Sequence, residues 1–299
     1  MVEMKSRNAN RLLILTILSF FILIPVQARE HYVFSLIDSN DGLSENRVRS
    51  ISQLSDGRMV IVTNGLVNLY DGTSFHYIHY DDEKVYHLSE YFGFYHLYVD
   101  TQERLWVKDY QKLMLFDLKK ESFVHNLDSV LLEEGITASL SNFFMDSKSN
   151  LWCLTNQNEL ILKEPNQKDA TVFISDFSQL TKNNDELYDL SIYENQVFLF
   201  FKSGTMVCFN LNTRKELYRE NPFEKEDTGL YERTLMVIPH KQFLYQIRNG
   251  ETGVLLRYDI ENRKWKTILK QNYTFNTLSV DNNGNLWIDR KSTRLNSSH

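Results

Sequence analysis

Residues 145–155 read MDSKSNLWCLT, in which an apolar residue and an aspartate precede a polar stretch and then a Leu-Trp pair. The same arrangement recurs in residues 99–107 (VDTQERLWV) and residues 280–288 (VDNNGNLWI). Trp106 and Trp152 lie 46 residues apart, and weaker copies keep the same spacing. A period in the forties, built from short apolar runs and turn residues, is typical of β-propeller blades with four strands each.

A second marker, an aromatic residue followed by Asp or Asn, repeats in the same phase. Its copies are Tyr70-Asp71-Gly72, Phe116-Asp117-Leu118, Phe209-Asn210-Leu211 and Tyr258-Asp259-Ile260. An Asp-Gly pair between apolar runs is a strong hairpin signal. The two markers together predict an all-β chain, a β-propeller of four-stranded blades with five full repeats and a partial sixth.

The repeat residues have structural explanations. An Asp side chain can bond its own backbone in the turn that precedes Leu-Trp. A large flat indole can fill the wedge between adjacent blades, burying on the order of 200 Å². We expect Trp152 to lie in such a wedge, and Val48 and Ile51 on the first strand to point toward neighbouring blades. These aromatic residues are therefore assigned to the core rather than to a ligand.

Residues 1–28 have the pattern of a signal peptide, with a basic head, an apolar run and small residues before a predicted cleavage after Ala28. An uncleaved anchor helix is the alternative, although the apolar run is shorter than the ~20 residues that span a bilayer. Residues 29–289 are predicted to form the propeller, with residues 31–37 as a leading strand that completes the last blade. Residues 290–299 (RKSTRLNSSH) resemble a non-native tail.

The composition and motifs argue against several functions. A net charge of −6 without a basic cluster does not suit nucleic acid. Asp281-x-Asn283-x-Asn285 begins like a calcium loop but lacks the glycine and closing glutamate. His76 and His79 should point to opposite faces of a strand, which does not suit a metal. No catalytic motif occurs, so we predict no catalytic residue, no metal ligand and no cofactor.

Two cysteines, Cys153 and Cys208, occupy apolar strand positions in neighbouring repeats. An exported protein permits a disulfide between them. Buried free thiols that act as small hydrophobic side chains are the favoured interpretation.

The least regular stretch, residues 81–95, joins blade one to blade two and is rich in aromatic residues. In propellers such connectors lie on the same face as the loops between second and third strands, here expected at 108–111, 156–158, 202–204 and 248–253. Sugars stack their C–H faces on aromatic rings and bond amide and guanidinium groups through their hydroxyls. The candidate ligand-binding residues are accordingly Tyr86, Tyr91, Tyr110, Asn156 and Arg248. The alternative is that these aromatic residues pack the seam between blades.

One family shares the details of the first repeat. Residues 42–53 (GLSENRVRSISQ), Asp56-x-Arg58 and residues 64–75 (NGLVNLYDGTSF), together with the Asp…Leu-Trp segments, resemble the two-component regulator propeller repeat. The resemblance covers residues 30–289, although the repeats between about residues 187 and 268 lack both the Asp turn and the Trp.

The resemblance implies an extracytoplasmic sensor of a hybrid two-component histidine kinase, with blades that belong to a seven-bladed ring. It implies a periplasmic location, an oligosaccharide ligand, a homodimeric full-length protein, and a membrane anchor and kinase that follow this N-terminal part. An exported propeller enzyme, such as a polysaccharide lyase or hydrolase, and a protein-binding scaffold are the alternatives.

Overall fold

The computed structural model describes residues 35–64, 66–89, 96–180, 185–223, 233–250, 252–280 and 284–290. The predicted signal peptide, Tyr91 and the Asp281-x-Asn283 segment lie outside these residues. The chain divides into two compact units, and all the blades belong to the unit that begins at Gly42. In the unit before it, residues 35–37 are not in a strand, so the expectation of a leading strand over 31–37 is wrong for the part that is described.

The fold is an all-β propeller in which successive antiparallel sheets follow one another along the chain. Blade one contains β1 (Val48–Gln53), β2 (Met59–Thr63), β3 (Leu66–Tyr70) and β4 (Phe75–His79). Blade two contains β5 (Tyr86–His87), β6 (His96–Val99), β7 (Arg104–Asp109), β8 (Lys112–Asp117) and β9 (Ser122–Phe123). Blade three contains β10 (Leu140–Met145), β11 (Leu151–Thr155), β12 (Leu160–Lys163) and β13 (Thr171–Ile174).

The remaining blades continue the same order of strands. Blade four contains β14 (Leu187–Tyr193), β15 (Gln196–Phe201), β16 (Met206–Asn210) and β17 (Glu216–Glu220). Blade five contains β18 (Arg233–His240), β19 (Phe243–Asn249), β20 (Gly253–Asp259) and β21 (Lys264–Gln271). A partial sixth blade pairs β22 (Phe275–Val280) with β23 (Leu286–Arg290). Helix α1 (Leu127–Glu133) and short 3-10 turns at Asp82–Lys84 and Phe177–Leu180 account for the described helical residues.

The core is a series of hydrophobic seams between neighbouring blades. Strand β7 illustrates why, because its side chains alternate between two seams. Leu105 and Val107 pack with blade one, whereas Trp106 packs with blade three, where its ring stacks on Phe143 at 4.9 Å. Middle strands are therefore buried on both faces, which explains their nearly continuous apolar sequences.

The repeated aspartate ties the turn to the tryptophan. Asp146 Oδ1 accepts hydrogen bonds from the backbone N–H groups of Lys148 and Asn150, at 2.8 and 3.1 Å. Its Oδ2 accepts from Trp152 Nε1 at 2.8 Å and from Asn150 Nδ2 at 2.8 Å. Asp100 makes the equivalent bonds with Gln102, Arg104 and Trp106 in blade two. In the Asp…Leu-Trp motif, the aspartate therefore stabilises the turn and also fixes, by a hydrogen bond, the tryptophan that packs between the blades.

Two residues of the first strand are exposed. Val48 and Ile51 are 39% and 55% exposed, so no described blade buries them. Ile51 pairs with Ile61, whereas Val60 and Val62 on either side of Ile61 pack toward blade two. Because strand side chains alternate, Ile51 lies on the opposite face of blade one. A β-bulge between Val48 and Ser50 changes the side-chain phase, which the sequence pattern does not reveal.

The cysteines are free and buried, as the favoured interpretation predicts. Cys153 belongs to the seam between blades two and three, and Cys208 to the seam between blades four and five. Burial raises the pKa of both thiols, that of Cys208 to about 11. Both side chains therefore act as small apolar groups in the core.

Candidate functional site

Blade two departs from the four-strand plan at its outer edge. Strand β8 has two short partners there, β5 beside Leu113 and Lys112 and β9 beside Phe116 and Asp117. The residues that connect blade two to blade three then form helix α1. Two short strands, β5 and β9, therefore stand where other blades have one outer strand, and a helix follows them.

Local sequence explains the helix. Asn126 caps it, since its Oδ1 accepts a hydrogen bond from Ser129 N at 3.1 Å. Leu127 and Leu131, one turn apart, are buried in the seam between blades two and three. Gly135 ends the helix with φ of 78°, a conformation that glycine adopts without strain. A Cβ at Gly135 would also lie 3.1–3.2 Å from the backbone of residues 168–170, so the close approach requires glycine.

A cavity of about 210 Å³ opens beside this helix, and we call it the blade-two cavity. Its lining residues are Tyr86, Asp128, Leu131, Leu132, Ile136, Thr137, Ala138 and Ser139. The leucines and Ile136 are apolar, Thr137 and Ser139 carry hydroxyl groups, and Asp128 is the one carboxylate. Tyr86 packs against the apolar seam between blades two and three. Pockets that bind small molecules usually combine an apolar lining with a few polar groups, although many are larger, roughly 300–1,000 Å³. The blade-two cavity therefore has room for one ring rather than an extended ligand.

Two of the predicted site residues lie at this place. Tyr86 lines the cavity, and its Oη accepts a hydrogen bond from Leu140 N at 2.9 Å. Burial raises the pKa of Tyr86, so the phenol stays protonated at neutral pH. Asn156 N donates to the carbonyl of Ser139, a lining residue, at 3.0 Å. The structure therefore brings Tyr86 and Asn156 to the two sides of the Ser139–Leu140 peptide.

The connector from blade one contacts the loops of blades two and three, as expected for one face of a propeller. Leu88 N donates to Gln111 O at 2.8 Å, and Ser89 Oγ donates to Asn156 Oδ1 at 2.9 Å. Tyr110, another predicted site residue, is next to Gln111 and is 59% exposed. Tyr91 belongs to the same connector but lies outside the described residues.

Arg248 lies in the seam between blades four and five. It is 2% exposed, donates from Nη2 to the carbonyl of Lys202 at 2.8 Å, and lies 4.6 Å over the ring of Phe223. Burial lowers the pKa of Arg248 to about 10. Strand β19 continues to Asn249, so the loop boundary expected at residue 248 is wrong by two residues.

The sequence reasoning missed Asp128, Thr137 and Ser139. They belong to helix α1 and to the loop that follows it, a segment that the repeat pattern does not cover. A signal for the helix was present, since Asn126 precedes Leu127, Val130 and Leu131 at helical spacing.

A buried polar cluster lies deeper in the same region. Lys108, expected in a loop, instead belongs to strand β7 and has no exposed surface. Its Nζ donates to Phe143 O at 2.6 Å and to Asn142 Oδ1 at 3.2 Å. Burial lowers the pKa of Lys108 and raises that of Asp189, whose carboxylate accepts from Leu190 N and Val237 N, both at 2.8 Å. The bond from Lys108 to Phe143 joins blades two and three, and the bond from Val237 to Asp189 joins blades four and five.

The described residues hold no group of three His, Cys, Asp or Glu side chains placed to bind a metal ion. His76 is instead paired with Glu121, with 3.1 Å between Nε2 and Oε2. Within the same residues, no helix combines the length and apolar character needed to cross a bilayer.

The architecture defines the class of protein as a β-propeller, and solved structures share this fold. The extracellular domain of a protein named as hybrid two-component system BT4673 from B. thetaiotaomicron aligns with a TM-score of 0.56 and 17% identity, over 83% of this chain and 33% of the other. That of BT3049 from the same organism aligns with a TM-score of 0.50 and 16% identity, over 87% of this chain and 41% of the other.

A third structure, YCF48 bound to D1 peptide, aligns with a TM-score of 0.54 and 11% identity over 89% of this chain and 81% of the other. At such identities the likeness shows the fold alone. This chain spans less than half of the two solved extracellular domains. Neither the family models nor the sequences of curated proteins give a match.

Proposed function

We propose that this chain is part of the extracytoplasmic, ligand-binding propeller of a membrane-bound hybrid two-component sensor kinase. Two independent lines support the proposal. The first repeat resembles the two-component regulator propeller repeat, and solved extracellular domains of such systems share the fold. In this proposal the segments that anchor the protein, dimerise it and carry the kinase follow the propeller, and the signal peptide directs it to the periplasm.

The proposed ligand is a glycan-derived oligosaccharide, and its terminal sugar occupies the blade-two cavity. The observation that carries this step is the lining itself, which combines the Tyr86 ring and apolar side chains with the hydroxyl-bearing Thr137 and Ser139. A sugar presents an apolar C–H face on one side and hydroxyls around its edge, which matches this arrangement. The adjoining Asn156 and the exposed Tyr110 would contact the next sugar units.

Replacement of Thr137 by valine tests the site. The substitution keeps the side-chain shape but removes the hydroxyl, so we expect affinity for an oligosaccharide found by array screening to fall about two- to tenfold. Isothermal titration calorimetry of the full chain measures the change. Thr213→Val, on an exposed turn of blade four, is the matched control and should leave affinity unchanged.

Two results would contradict the proposal. Equal affinity of the Thr137→Val and Thr213→Val proteins would place the sugar elsewhere. Binding of peptides but of no oligosaccharide would favour a protein-binding scaffold, the kind of role that YCF48 with its bound peptide illustrates.

A further inference from the structure

The blade-two cavity carries one formal charge at neutral pH. Among its lining residues Asp128 is the one carboxylate, and none is Lys, Arg or His. Tyr86 is the other titratable group, and burial and the nearby Asp128 carboxylate both raise the pKa of its phenol. Asp128 is therefore the one charged side chain among the lining residues.

Asp128 lies in the first turn of helix α1, and its side chain is exposed to solvent. No Lys, Arg or His of the described residues forms an ion pair with it, so the positive end of the helix dipole is its nearest balancing charge. Glu134, which caps the C-terminal end of helix α1, in contrast pairs with two basic side chains. Arg104 Nη2 and Lys163 Nζ both lie 2.9 Å from its carboxylate oxygens. Asp128 is thus left to interact with a bound ligand.

We propose that Asp128 determines the charge class of the ligand, so that the blade-two cavity takes amino sugars or neutral sugars and rejects acidic ones. This inference rests on the proposed function, because it concerns the same cavity. A protonated amine on the sugar ring forms an ion pair with the Asp128 carboxylate. A uronate or sulfate on the ring meets like charge, and no basic side chain of the cavity is present to compensate.

The expected discrimination is moderate, because Asp128 is exposed. An exposed ion pair contributes about 0.2–1 kcal/mol, which corresponds to a ratio of affinities of up to about fivefold. The effect should decrease with salt, since the Debye length shortens from about 30 Å at 0.01 M to about 8 Å at 0.15 M.

Three methyl glycosides with the same ring provide the test: a glucoside, its 2-amino-2-deoxy analogue and the glucuronide. Each is titrated into the full chain at pH 6 and low salt. The affinities are obtained from NMR chemical-shift changes during the titration. We expect the amino sugar to bind about two- to fivefold more tightly than the glucoside, and the glucuronide to bind more weakly by a similar factor. Both differences should shrink at 0.15 M salt.

Asp128→Asn should abolish both differences, so that the three glycosides bind the variant with equal affinity. Glu133→Gln is the matched control, since it makes the same change of charge on the same helix but outside the cavity lining. It should preserve both differences in affinity. Circular dichroism checks that both variants remain folded. Equal binding of all three glycosides, or a preference that survives in Asp128→Asn, would overturn the inference and leave the proposed function standing. Binding of none of the three would overturn both.

Discussion

Replacing Trp152 by alanine should lower the free energy of unfolding by about 3–5 kcal/mol, the range found for large aromatic residues in a core. The indole has no exposed surface and lies edge-on to Phe173, with 4.9 Å between ring centres. It belongs to the seam in which blades three and four pack together, so its removal opens a cavity between two blades. Urea denaturation followed by circular dichroism measures the loss.

A second substitution separates packing from hydrogen bonding. Trp152→Phe keeps an aromatic ring but removes the N–H that Asp146 Oδ2 accepts at 2.8 Å. Since that oxygen keeps its bond from Asn150 Nδ2, we expect a smaller loss of about 1–3 kcal/mol. Leu217→Ala, on the exposed outer strand of blade four, should change stability by less than about 0.5 kcal/mol. A loss below 1 kcal/mol for Trp152→Ala would mean that the indole is exposed and could serve as a ligand platform.

The repeat made the blades predictable from the sequence. Asp146 and Trp152 recur at fixed spacing in blades two, three and six, where the same turn and the same wedge are repeated. The hydrogen bond between them was not predicted, although both residues were identified. A sequence repeat shows which positions are equivalent in different blades, but it does not show which residues touch each other within one blade. Fold prediction worked here because it needed only the period and the alternation of apolar residues.

The candidate site was only partly predictable, for a related reason. Tyr86 and Asn156 could be selected because propeller topology places their loops on one face. Asp128 and Thr137 could not, because they occur in the connector between blades two and three, where helix α1 interrupts the repeat. Lys108 was misplaced because a lysine near a strand end suggests a solvated loop.

The burial of Lys108 has a consequence for stability that depends on pH. Burial lowers the pKa of its ammonium group in the folded state, whereas the unfolded chain keeps the ordinary value of 10.5. Between these two values the unfolded chain holds a proton that the folded protein has released, so stability rises with pH. His96, its pair partner on β6, has a pKa lowered by burial and then by Lys108, and is neutral throughout this range. Asp189 interacts with Lys108 across the cluster, and burial raises its pKa.

Above neutral pH, the free energy of unfolding of the wild type should therefore gain a contribution from Lys108 as pH rises. Lys108→Met should lack this contribution. A full proton of difference corresponds to about 1.4 kcal/mol per pH unit, so we expect wild-type stability to rise relative to Lys108→Met by about 1–2 kcal/mol between pH 7.5 and 9. Cys153 and Cys208, whose thiols have raised pKa values, oppose this trend equally in both proteins, so their contribution cancels in the difference. Urea denaturation under reducing conditions at several pH values gives the two curves. Lys119→Met, at an exposed lysine, is the control. Its free energy of unfolding should vary with pH in the same way as that of the wild type. Parallel curves for Lys108→Met as well would show that Lys108 remains charged in the folded protein and that the cluster is solvated.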